Sequence, residues 1–187
     1  MPPLTKLPTY DAETGWLNAI IETPQGSRNK YKYDDRCRIF KVHSLLPAGA
    51  VFPYDFGFLP STRGEDGDPL DVLVLMEVAC PGGYLVPARL IGVIEAEQTE
   101  DGESERNDRL IAVSTESHRH HGANTLADLG EEILCEIEHF FISYNAMHGK
   151  QFKPLGRHGP GRAQKLVKQG EKLFRAAAGK KKAKAAD

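Results

Sequence analysis

The chain has 187 residues, 40% hydrophobic and 27% charged, which suits one folded domain and excludes fibrous, low-complexity and globally disordered classes. Its formal net charge of −2 conceals a split: residues 1–148 carry 24 acidic and 12 basic side chains, residues 149–187 carry 2 and 12. An acidic body excludes a uniformly basic nucleic-acid binder and points to carboxylates gathered for cations, or to a basic end with its own electrostatic partner.

In chain order, short β-like segments separated by Gly, Pro and Asp punctuation read as strands over 17–22, 30–33, 38–42, 71–77, 84–95 and 109–113. The polar stretch 98–107 reads as a surface loop between the last two. From residue 125 the period changes to 3.6. Leu126, Leu129, Ile133, Ile137, Phe140, Phe141 and Tyr144 form one apolar face, Asn124 or Thr125 can cap the start, and Gly149 can end the helix. After a Gly-Pro-rich connection over 154–161, a second helix is expected from about 161 to 178, with 179–187 a basic, disordered tail. Residues 1–178 thus form a single α+β domain, a small antiparallel barrel or curled sheet covered by helices. The apolar runs at 72–76 and 90–94 fall far short of the roughly 20 residues a membrane helix needs. Residues 1–6 lack the apolar core of a secretory signal, so the cytoplasm is the default location. Cys37, Cys80 and Cys135 are odd in number and widely spaced, and read as reduced thiols rather than a disulfide or zinc framework.

The most informative segment is Glu65-Asp66-Gly67-Asp68-Pro69-Leu70-Asp71, followed at once by an apolar strand. Gly67 and Pro69 force a turn, so that Asp66, Asp68 and Asp71 can converge. Converging carboxylates repel and raise one another's pKa unless a cation sits among them. Oxygen donors without His or Cys favour a hard cation, Mg²⁺ first, then Mn²⁺ or Ca²⁺. An EF-hand is excluded, because Leu70 and Asp71 stand where a ligand and a glycine are required. A solvated acidic turn capping a strand is the plain alternative. The run Ser117-His118-Arg119-His120-His121 does not have zinc-site spacing and reads as a mobile basic loop.

From Leu17 to Tyr144 the sequence resembles the soluble family I inorganic pyrophosphatases. The resemblance rests on the D-G-D-P-x-D turn from Asp66 to Asp71. It is supported by Glu22, Lys30-Tyr31, the turn Phe52-Pro53-Tyr54-Asp55-Phe56-Gly57-Phe58, Leu110-Ile111-Ala112-Val113 and the helical run from Ile137 to Tyr144. It implies a five-stranded OB-like antiparallel β-barrel flanked by a long helix and a second C-terminal helix, and hydrolysis of Mg²⁺-pyrophosphate to two phosphates, with Mn²⁺ as a possible substitute. Carried over by position, Asp66 and Asp71 bind metal, Asp68 orients or deprotonates a bridging water, and Glu22 binds a metal that arrives with substrate. Lys30, Arg109 and Tyr144 hold phosphate oxygens, Arg109 standing where the family usually has Lys. A homo-oligomer is also implied.

Departures from the pattern cluster at substrate contacts. Lys32 replaces a Glu, Ser44 an Arg, Phe52 and Phe56 two Tyr, Asn107 a metal-binding Asp and Asn145 a Lys. The remaining loop ligand is assigned to Asp101, with Glu100 the alternative. Asp108 can replace Asn107 only through a bulge, since adjacent strand residues face opposite ways. The charge changes nearly cancel, which suggests a phosphate-binding cation relocated to Lys32, with Arg63 a possible helper. Pyrophosphate is the leading substrate. Another small phosphoanhydride, such as a nucleoside or sugar diphosphate, and a non-catalytic binding protein are the alternatives. Neither membrane association nor specific nucleic-acid binding is expected, because the tail lysines alternate with alanines and offer no aromatic stacking surface.

Overall fold

The computed structural model describes residues 3–184, with side chains through 179. A strand β1 (Leu17–Thr23) opens the fold, followed by the hairpin β2 (Asn29–Asp34) and β3 (Ile39–Leu45). Then come β4 (Asp55–Phe58), β5 (Asp71–Leu75), the long β6 (Leu85–Glu100), β7 (Glu103–Arg106) and β8 (Arg109–Ser114). The chain ends with α1 (Glu131–Ala146), β9 (Gln151–His158) and α2 (Pro160–Lys184).

Five strands close a ring. Around it β1 pairs with β4, β4 with β5, β5 with β8, β8 with β6, and β6 back with β1. This is the expected five-stranded barrel, with one difference: β5 and β8 run parallel, Val72 beside Leu110 through Leu75 beside Val113. Alternation along these strands feeds two clusters. Leu73, Leu75, Ile111 and Val113 pack with Leu134, Ile137 and Phe141 of α1. Val72, Val74, Leu110 and Ala112 lie in the second cluster with Ala163 and Val167 of α2.

Five expectations change. The stretch 98–107 is not a loop: β6 runs on to Glu100 and turns tightly into β7, a polar ribbon projecting from the barrel. The connection at 154–161 is mostly β9, which pairs along the end of β6 despite Pro154 and Gly156. The long helix is broken at Gly130, whose φ of 83° ends a 3-10 turn over Leu126–Leu129 that Thr125 caps reciprocally with Asp128. α2 continues past 178 to Lys184; residues 185–187 of the expected tail lie outside the described residues. The 117–121 segment is anchored, since the Glu77 carboxylate accepts from Ser117 Oγ at 2.9 Å and from the backbone N–H groups of His118 and Arg119. The three cysteines are free. Among the described residues no helix is long and apolar enough to cross a membrane.

Candidate active site

A cavity of about 700 Å³ opens where the β2–β3 hairpin, the acidic turn before β5, the β6–β7 ribbon and the end of α1 meet. That volume is within the usual range for a small-molecule site. Glu22, Lys30, Lys32, Asp66, Asp68, Asp71, Arg109 and Tyr144 all line it, although the chain separates them by more than a hundred residues.

The turn is built as its glycines require. Gly67 adopts φ of 89°, and a Cβ there would come within 2.9 Å of Arg63 Nη2. Gly64 N–H donates to Asp68 O at 2.7 Å, and Asp68 N–H donates to Asp66 Oδ1 at 3.0 Å. The three carboxylates therefore share one wall without converging on a single point; among the described residues no three His, Cys, Asp or Glu side chains close into a metal cage. Two of them are held by cations instead. Lys32 Nζ lies 2.6 Å from Asp68 Oδ2, and Arg109 Nη1 lies 2.5 Å from Asp71 Oδ2.

The donor chemistry still fits a hard cation. Glu22 is buried, its Oε1 accepts the Tyr33 N–H at 2.7 Å, and burial pushes its carboxyl up to about 7. The cavity wall desolvates the Asp66 carboxyl and pushes it up to about 6, with Asp71, Asp68 and Glu105 adding to the rise. Such groups gain most from a neighbouring positive charge. Burial works against the Lys32 ammonium, but its hydrogen bond to Asp68 and the charges of Asp68, Glu22 and Asp71 hold it above the usual lysine range.

Lys30 Nζ sits 5.2 Å from the Phe56 ring centre and 5.1 Å from that of Tyr144, a cation–π seat at the cavity. Arg109 is 4% exposed. Its guanidinium carbon lies 4.7 Å from the Phe141 ring centre and 5.4 Å from that of Phe152. Its Nη1 also donates to Asn107 Oδ1, and Asn107 Nδ2 donates to Gln98 Oε1 at 2.9 Å.

One assigned ligand is misplaced. Asp101 occupies the exposed turn between β6 and β7 with φ of 51°, outside the cavity, because the presumed loop is a hairpin that carries its tip away. Glu100 faces Lys150 instead, at 2.7 Å. The carboxylate that does line this wall is Glu105, the cross-strand partner of Gln98. Period two counted back from Arg109 would have found it, since 109, 107 and 105 share a face. The same rule sends Asp108 the other way, where its Oδ1 accepts from Arg106 and from the Ala96 N–H. Asn145 lines the cavity but donates from Nδ2 to Phe141 O at 2.8 Å, and Ser44 stands opposite Lys30 in the hairpin. His43, His148 and Lys150 line the same cavity and were not singled out by sequence.

A cavity in which carboxylates and the cations of lysine and arginine interleave suits a polyanion carried with a metal ion. The family model described as inorganic pyrophosphatase matches residues 19–175. The inorganic pyrophosphatase of Thermus thermophilus is 37% identical over 150 residues, covering 80% of this chain and 83% of the relative. That of Nostoc sp. is 33% identical over 172 residues, covering 92% and 99%. The crystal structure of inorganic pyrophosphatase from Thermus thermophilus matches with a TM-score of 0.85 at 33% identity, over 92% of this chain and 99% of that one. In sequence and in fold, the chain belongs to the family I inorganic pyrophosphatases.

Proposed function

We propose that this chain hydrolyses inorganic pyrophosphate to two phosphates, with Mg²⁺ as its metal and Mn²⁺ as a substitute. The observation that carries this is the meeting, in one cavity, of Asp66, Asp68, Asp71 and Glu22 with Lys30, Lys32, Arg109 and Tyr144. Asp66, Asp71 and Glu22 are the residues that would hold metal, with Glu105 in place of Asp101. A divalent ion bound there lowers the pKa of water and neutralises phosphate charge. Asp68, more exposed than Asp71, takes the proton of the attacking water. Water oxygen bonds to one phosphorus, the bridging P–O bond breaks, and the second phosphate leaves with the bridging oxygen. Lys30, seated on the rings of Phe56 and Tyr144, and Arg109, seated on those of Phe141 and Phe152, orient the phosphate oxygens. Tyr144 supplies a hydroxyl, whereas Phe56 supplies only the ring surface under Lys30. A cytoplasmic homo-oligomer is part of the same proposal.

Phosphate release from pyrophosphate, nucleoside diphosphates and sugar diphosphates, with Mg²⁺, with Mn²⁺ and with chelator, tests the reading. Release is expected from pyrophosphate with metal, and D68N is expected to lower kcat by about 10²–10⁴-fold. Equal or greater release from an organic diphosphate, or full activity of D68N, would overturn it.

A further inference from the structure

Two cations of the cavity are committed to carboxylates of the acidic turn before any ligand arrives, and the two pairs differ in kind. Arg109 is clamped: its side chain is 5% exposed, packed against the adjoining rings of Phe141 and Phe152, and shared between Asp71 and Asn107. Lys32 is not. Its side chain is 46% exposed, that of Asp68 is 53% exposed, and the ammonium makes its hydrogen bond to that one carboxylate oxygen. A flexible four-carbon stem can swing to another anion with little disturbance of the hairpin.

We infer that Lys32 couples metal binding to pyrophosphate binding by exchanging partners: it pairs with Asp68 in the free protein and moves to a phosphate oxygen when substrate enters. This deepens, and rests on, the reading of the cavity as a pyrophosphatase site. A divalent ion entering the acidic turn meets an ammonium held 2.6 Å from the Asp68 carboxylate oxygen and is repelled by it. An entering pyrophosphate offers that ammonium several anionic oxygens, draws it off Asp68 and removes the repulsion. By linkage the converse holds, since metal at the acidic turn frees Lys32 for phosphate. Arg109 stays in place throughout. Asn107 spends its oxygen on that guanidinium and Gln98 spends its oxygen on Asn107, which fixes the arginine in its place. The effect is to disfavour metal in the empty site and favour it in the filled one.

The test is Mn²⁺ titration followed by electron paramagnetic resonance on the wild type, K32M, K32Q and K30M, each with and without methylene diphosphonate. Lys30 serves as the control because it is an equally charged neighbour seated on rings, not on a carboxylate. Without the diphosphonate, K32M and K32Q are expected to bind Mn²⁺ about two- to fivefold more tightly than wild type, the range for an exposed pair. K30M is expected to change less. The tightening that diphosphonate gives the wild type is expected to shrink in K32M by the same factor. Unchanged or weaker Mn²⁺ binding in both Lys32 variants, or an equal gain in K30M, would overturn the exchange. Wild-type hydrolysis of pyrophosphate, assayed in parallel, separates the two failures: its absence defeats the functional reading, whereas its presence with metal-indifferent Lys32 variants defeats the coupling alone.

Discussion

Glu22 shows how a single residue ties the site to stability. Burial lifts its carboxyl from an ordinary 4.5 to about 7, while the Tyr33 N–H works in the other direction. The folded state then holds a proton that the unfolded chain has already released, so stability is full below about 4.5 and falls as pH rises through about 7. E22Q removes this dependence and keeps an oxygen for the Tyr33 N–H. In chelator, its stability advantage over wild type is expected to grow between these two pH values to about 3 kcal/mol, measured by urea denaturation. Adding Mg²⁺ is expected to shrink that advantage, because the ion rescues the carboxylate and not the amide. An advantage that ignored both pH and metal would remove Glu22 from the metal site. The residue scale also shows what sequence left open at Asp66, Asp68 and Asp71. Their types announced cation chemistry, but which positive charge each meets depended on Lys32 and Arg109, whose positions relative to them no local pattern encodes.

At the scale of elements, β4 was concealed by its own composition. Its four residues, Asp-Phe-Gly-Phe, read as part of a turn, yet all are buried and pair with β5, and Phe56, Gly57 and Phe58 pair with β1 as well. Gly57 explains the composition: a Cβ there would lie 1.9 Å from Ile20 O, so the β1 backbone passes where any other side chain would stand. G57A is expected to destabilise the fold by about 3 kcal/mol, read from the denaturation midpoint. A near-neutral result would mean that β1 and β4 can separate without cost. The β6–β7 ribbon was missed for a different reason. It projects from the barrel with polar residues on both faces, so the apolar alternation that reveals a half-buried strand is absent, and with it went the correct placement of Asp101 and Glu105.

For the whole molecule, the question is how a basic helix settles against an acidic barrel. Ala163 and Val167 supply the apolar contact of α2, and Glu95 of β6 supplies the charged one. Its Oε1 is 2.5 Å from Arg162 Nε and its Oε2 is 3.0 Å from Arg106 Nη2. Burial opposes the charge of Glu95, but these arginines hold its carboxyl below the usual range. The stabilisation is therefore present above the unfolded carboxylate pKa and lost as pH falls through the folded one. E95Q is expected to cost about 2 kcal/mol near neutral pH, less than a fully buried pair because the Arg162 side chain is 46% exposed, and to converge on wild type in acid. Thermal denaturation against pH checks both the size and the sign.

The sequence by itself determined the α+β class and the family and marked the acidic turn as the candidate site, because these depend on local periodicity, on turn chemistry and on short motifs that are contiguous in the chain. Asp108 was also legible, since period two alone sends it away from Arg109. Tertiary structure decided the parallel β5–β8 seam, the break at Gly130, the strand β9, the loss of Asp101 from the site and the gain of Glu105. It also decided that Asp68 and Asp71 meet Lys32 and Arg109, pairs separated by 36 and 38 residues. Each of these depends on which strands lie side by side, a choice made by closing the barrel around its core and not by any residue's neighbours in the chain.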